Sequence, residues 1–161
     1  MTHHTTAAES VYARLGGEDG IRSLVGRFYA LMDELPEAHT VRGLHPESLT
    51  GSADSLFMFL SGWFGGPPLF ASARGHPRLR MRHAPYAIGP IERDEWLLCM
   101  RQALVEQVPD ELLREAIWQA FVGMADHLVN TAGGTPCAHA QTETQHQNQT
   151  VSQLNQEATQ T

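Results

Sequence analysis

The sequence predicts an all-α domain followed by a polar extension. Three observations carry this: apolar residues recur at helical spacing in four segments, no segment keeps the two-residue alternation of a half-buried strand, and starting or stopping residues flank the stripes. The first stripe is Ile21, Leu24, Val25, Phe28, Leu31, Met32 and Leu35. Glu18 and Asp19 suit its positive N-terminal end, and Pro36 stops it. The second follows Thr50 and Gly51, places Leu56, Phe59, Leu60 and Trp63 on one face, and breaks at Gly65-Gly66-Pro67-Pro68. The third runs from about Glu92, with Trp96, Cys99, Met100, Ala103, Leu104 and Gln107 sharing a face. The fourth starts at Pro109, a favourable first-turn residue, before Asp110 and Glu111. It continues through Leu113, Ile117, Ala120, Phe121, Met124 and Leu128. The organisation expected is a flexible N-terminus over 1–9, one domain over 10–132 and a disordered tail over 133–161. Val151 and Leu154 are the only large aliphatic residues after Gly134, too few to offset the entropy of ordering.

A chain of 161 residues with 42% hydrophobic content can build one sizeable core. Its formal charge is −7, all 11 basic residues being Arg. Four of them, Arg74, Arg78, Arg80 and Arg82, crowd into a stretch without acids; the other seven face 18 acids, which leaves −11 for the remainder. Such a balance argues against nucleic acid or an anionic membrane as partner. The first twenty residues hold no apolar run resembling a signal, and no stretch is long and apolar enough to span a bilayer. Cys99 and Cys137 follow no zinc or redox spacing. A cytoplasmic protein is expected.

Between the second and third stripes lies a long connection, Gly65 to Ile91, rich in Pro, Gly and Arg. Connections beyond about 12–15 residues inside a domain are often functional. This one contains GHPRLRMRHAPY, which resembles the proximal region of group II truncated haemoglobins. GRFY at 26–29, LHPE at 44–47, LFMFL at 56–60, WFGGP at 63–67 and DEWLLCM at 94–100 follow in that family's order. The resemblance covers roughly positions 12 to 130. It implies the truncated globin fold, a two-over-two helical sandwich around haem, with haem b as the cofactor.

The resemblance makes His83 the axial ligand to the haem iron. It sits on the short helical run LRMRH, ended by Ala84-Pro85. Its other ring nitrogen is expected to donate to a backbone carbonyl, which sets tautomer and orientation. Arg82 matches the arginine that contacts a haem propionate, a carboxylate suited to a planar guanidinium. Arg74 and Arg78 read as solvated, and Arg80 is left open. Many group II members place a basic residue where this chain has Ser55, so one propionate contact lacks an evident donor.

Tyr29, His45 and Trp96 match the polar positions on the distal face of the haem. There a phenol O–H or an indole N–H stabilises a diatomic ligand that gains negative charge on binding. Trp96 also falls on a core-facing stripe, and the two roles are compatible. His45 stands where relatives more often carry Tyr or Phe; it could donate to the ligand, pair with Tyr29 or titrate near neutrality. Ser52 is too short to seal the pocket, so open ligand access is expected. Leu56, Phe59 and Leu79 are expected as apolar haem contacts, with Tyr86 and Ile88 flanking the proximal side.

Three functions follow in order of support. The first is a b-type haem protein that reversibly binds O2, NO and CO. The second is a haem redox enzyme, for NO detoxification or peroxidase-like turnover; the chain has no flavin or nicotinamide motif, so this needs a separate reductase. The third, a haem-free helical interaction module, does not account for the ordered motifs. Oligomeric state is open, a homodimer included.

Overall fold

Helix ends in this chain are set by a few side chains and glycines. The computed structural model describes residues 8–132, so the expected flexible N-terminus and polar tail lie almost wholly outside the described residues. Every regular element among them is helical: α1 (Val11–Arg14), α2 (Gly17–Glu34), a 3-10 turn (Pro36–Ala38), α3 (His39–Gly43), α4 (Thr50–Trp63), α5 (Leu69–Arg74), α6 (Leu79–His83), α7 (Pro90–Gln107) and α8 (Glu111–Leu128). None of these helices is long and apolar enough to cross a membrane.

The four predicted stripes form the four long helices. α2 carries Glu18 and Asp19 in its first turn and ends where Leu35 turns extended, the conformation a following proline favours. α4 closes over Gly65 at φ +87°, a left-handed helix end. A Cβ on Gly66 would come within 2.4 Å of the Tyr12 ring, so only glycine lets α1 lie against this turn. α7 begins two residues earlier than expected, with Pro90 in its first turn and the Glu92 carboxylate accepting the Gly89 N–H at 2.9 Å. α8 begins later than expected. Asp110 is its cap, accepting from the Leu113 N–H at 3.0 Å, which leaves Pro109 outside the helix. Two stripe positions also differ: Gln107 and Ala120 face solvent, and Ala125 takes the inner place near the end of α8.

The long helices pack as two layers, α2 with α4 and α7 with α8, joined chiefly through α2 against α7. Phe28, Leu60, Met100, Leu104 and Phe121 are fully buried. Each such side chain contributes roughly 1.5–3 kcal/mol relative to exposure. Phe121 is the hub of an aromatic cluster, with ring centroids 5.2 Å from Trp63, 6.0 Å from Phe64 and 5.6 Å from Trp96. Trp63 keeps one side in solvent and stacks on Phe59 with the other.

Ser61 is the one buried polar side chain among the described residues, and its hydroxyl donates to the Pro67 carbonyl at 2.8 Å. That carbonyl also receives the Leu69 N–H, so truncating the serine strands no acceptor. Ser61→Ala is therefore expected to cost only about 1 kcal/mol, the net worth of one hydrogen bond, measured by urea unfolding.

Candidate functional site

The connection from Gly65 to Ile91, expected as a loop with one helical run, folds into α5 and α6. α6 rests on α8, and with α2, α3, α4, α5 and α7 it surrounds a cavity of about 520 Å³. That is within the usual range for small-molecule and cofactor sites, about 300–1,000 Å³. The structure brings all nine sequence-predicted site residues to this one cavity. α2 and the end of α3 supply Tyr29 and His45, α4 supplies Leu56 and Phe59, and α7 supplies Trp96. Leu79, Arg82 and His83 come from α6, and Tyr86 from the segment after it. Ser52, Ser55 and Ile88 line it too.

His83 ends α6 with its ring Nδ1 2.7 Å from the Leu79 carbonyl, one helical turn back. A carbonyl only accepts, so Nδ1 carries a proton, and in the neutral tautomer that this selects Nε2 is the lone pair. The segment that carries His83 is braced on both sides. Arg82 donates through Nε to the Pro77 carbonyl at 2.8 Å and through Nη2 to the Arg74 carbonyl at 3.1 Å. Between them Arg78 holds a left-handed φ of 43°, uncommon for a residue with a side chain. On the other side Asn130, just past α8, donates to the Tyr86 carbonyl at 2.8 Å and the His83 carbonyl at 3.3 Å, and accepts the Ile88 N–H at 2.9 Å. Sequence reasoning missed Asn130, because its partners lie more than forty residues away.

His45 repeats the arrangement of His83. Its Nδ1 lies 2.9 Å from the Val41 carbonyl, again one turn back. The Val41 N–H is itself bound by the Glu95 carboxylate at 2.6 Å, which ties α3 to α7. Burial, foremost, lowers the His45 pKa below the ordinary value, with Arg42 and His83 adding to the effect against the Val41 hydrogen bond. Neutral His45 thus has its proton committed to Val41 and Nε2 free to accept. Of the three roles open from sequence, pairing with Tyr29 is the one this geometry favours, since the ring proton is committed to Val41 and the lowered pKa moves titration away from neutrality. The His45 ring stands edge-on to Tyr29, with centroids 5.8 Å apart.

Tyr29 and Trp96 each bring an unused donor to the cavity lining. Neither Tyr29 Oη nor Trp96 Nε1 has a hydrogen-bond partner among the described residues, yet no fully enclosed side-chain polar atom lacks one. Neither atom is therefore fully enclosed, and both residues line the cavity. Burial raises the Tyr29 pKa far above the ordinary phenol value, so the hydroxyl keeps its proton. Trp96 also packs against Phe28 at 5.0 Å and Phe121 at 5.6 Å, combining a core face with a cavity face.

Charge is distributed unevenly around the cavity. Arg93 pairs with Asp94 and Asp126, and Glu92 caps α7. Arg74 and Arg82 also line the cavity, and neither has an acidic partner among the described residues. Arg74, expected in solvent, instead reaches across to α4 and donates to the Ser55 hydroxyl at 2.7 Å. Arg80 lines a separate hollow beside Tyr86 and Asn130. No group of three or more His, Cys, Asp or Glu that could hold a bare metal ion occurs among the described residues. Cys99 is buried away from this chemistry; burial, foremost, pushes its thiol up to about 11, leaving it protonated.

A family profile described as bacterial-like globin matches residues 10–130. The chain belongs to the bacterial-like globin family. Among characterised relatives, the group 2 truncated hemoglobin YjbI of Bacillus subtilis is 34% identical over 114 residues, covering 71% of this chain and 84% of the relative. The group II 2-on-2 hemoglobin of Agrobacterium tumefaciens superposes with a TM-score of 0.76 at 44% identity, covering 78% of this globin and 98% of the other. The cold-adapted truncated hemoglobin of Pseudoalteromonas haloplanktis TAC125 gives 0.75 at 41% identity, covering 76% and 99%. The globin thus has the truncated two-on-two fold, and its family is one of haem proteins that bind gaseous ligands. The cavity's own chemistry fits that cofactor. It offers two imidazoles, His83 and His45, each with Nδ1 on a carbonyl, together with a largely apolar lining and two cations without carboxylate partners, which suits a flat macrocycle bearing two propionates.

Proposed function

We propose that this globin is a b-type haem protein that reversibly binds O2 and other diatomic ligands, NO and CO among them. The observation that carries the reading is the His83 hydrogen bond to Leu79, which leaves Nε2 of the neutral ring available for axial ligation in the cavity that Tyr29 and Trp96 also line. The GHPRLRMRHAPY motif around it favours His83 over His45, whose Nε2 is free as well. Haem, when bound, supplies an iron centre that coordinates a diatomic ligand reversibly. The polypeptide's part is to hold one nitrogen lone pair in place, aim two hydrogen-bond donors and keep bulk water out. Tyr29 O–H and Trp96 N–H direct positive dipoles toward a ligand that gains negative charge, in surroundings of low dielectric that strengthen the interaction. His45 acts through Tyr29, its edge contact holding the phenol ring in place. Leu56, Phe59 and Leu79 would enclose the macrocycle, and Arg82 would hold a propionate with the N–H groups not used on its own loop. Buried, unpaired Cys99 suits a reducing compartment, and we place the protein in the cytoplasm.

Titrating the protein with haem tests the reading. Uptake of one haem per chain is expected, and the reduced form should change spectrum reversibly on adding and removing O2. Absence of a saturable haem spectrum, or immediate irreversible oxidation by O2, would contradict it. The role of His45 has its own test, a double-mutant cycle on O2 release. His45→Phe is expected to speed release when Tyr29 is present and to add little in a Tyr29→Phe background, since the two act as one unit. Additive effects would show that His45 meets the ligand independently.

A further inference from the structure

We propose that Arg74 is a second carboxylate-binding residue of the cavity, so that Arg74 and Arg82 form a two-cation clamp for the two propionates. The inference rests on the haem reading above.

Acids are abundant in this chain, and its arginines generally find them. Of the seven arginines outside the 74–82 stretch, Arg14, Arg22, Arg27, Arg42, Arg93 and Arg101 are ion-paired. None of the four within it has such a partner among the described residues, and only Arg74 and Arg82 of those four line the cavity. Their guanidinium carbons lie 5.6 and 5.0 Å from the centroid of one ring, that of Phe70, which lines the cavity as well. Two positive charges therefore share one edge of an otherwise largely apolar pocket.

Both guanidinium groups are positioned by oxygens that carry no charge. Arg82 is held by the Pro77 and Arg74 carbonyls. Arg74 is held by Ser55 Oγ, which donates its own proton to the Gly51 carbonyl at 2.9 Å and so offers Arg74 a lone pair. These contacts orient each planar group without neutralising it, and each keeps further N–H donors available. An edge with two oriented, uncompensated cations is suited to a ligand with two carboxylates on one side. The backbone also couples the two residues: the Arg74 carbonyl that receives Arg82 Nη2 places one arginine relative to the other.

The decisive experiment loads the full chain with haem and follows haem transfer to an excess of apomyoglobin, for wild type and Arg74→Gln. The variant should keep the wild-type Soret spectrum, since axial ligation is untouched, and release haem about three- to tenfold faster, the scale of one partly exposed ion pair with charge-assisted hydrogen bonds. With haem dimethyl ester, which has no carboxylates, the two proteins should release at the same rate. Equal release of free-acid haem by the two proteins, or a difference that survives esterification, would overturn the role of Arg74 and leave the haem reading standing. Failure of wild type to take up haem at all would overturn both.

Discussion

Replacing His83 by glycine is expected to leave the haem-loaded globin without a protein axial ligand, and free imidazole in the buffer to restore it. The His83 Nδ1 proton is committed to the Leu79 carbonyl at 2.7 Å, which makes Nε2 the lone pair of the neutral ring, and α6 together with Asn130 and Arg82 braces the segment that carries it. Glycine removes the imidazole and leaves a space of its size. The absorption spectrum should lose the signature of nitrogen ligation in His83→Gly and regain it as imidazole is titrated in. His45 is the control, since it has the same committed Nδ1. A wild-type spectrum in His83→Gly that is lost in His45→Gly would move the ligand to α3 and overturn the assignment.

The second large effect concerns ligand retention. Tyr29→Phe removes one hydroxyl that has no other partner among the described residues and that stays protonated because burial raises its pKa. A hydrogen bond to a charged acceptor is worth roughly 1.5–3 kcal/mol, so O2 release should accelerate about tenfold to a hundredfold. Apolar packing is nearly conserved, because the Phe28 ring still meets an aromatic edge at this place. CO gains less negative charge than O2, so its release should change much less. Stopped-flow displacement of both ligands measures the contrast. Equal acceleration of the two would mean that the substitution reshapes the pocket rather than removing a polar contact.

The long helices are legible in the sequence because each is long enough to carry several turns of an apolar stripe, as in the run from Ile21 to Met32. α1, α3 and α5 are not. With four to six residues each, they have no room for a period and form through tertiary contacts. Helix starts misled where a proline competed with a cap: Pro109 looked like a first-turn residue, but the Asp110 carboxylate takes the Leu113 N–H and sets the start two positions later, at Glu111. Ala120 fits the spacing of a core stripe yet faces water, because alanine is too small to mark which face of a helix is inward.

The site shows the same division. His83, Tyr29, His45 and Trp96 could be located from an ordered set of motifs, and all four line one cavity. What the motifs do not contain is the support around them. Arg74 read as one more solvated charge because its partner, Ser55, lies on another helix, and Asn130 drew no attention because the backbone groups it binds lie in a distant segment. Contacts between distant segments leave no local pattern. The basic stretch in an acidic chain was the one hint available from sequence, and the fold turns it into two placed cations at a cavity edge.

A crystal of the haem-loaded protein, measured at the iron absorption edge, locates the iron directly. With His83 as its ligand, a single anomalous peak is expected inside the cavity, within bonding distance of His83 Nε2. Iron bound instead through His45, or located outside this cavity, would contradict that assignment.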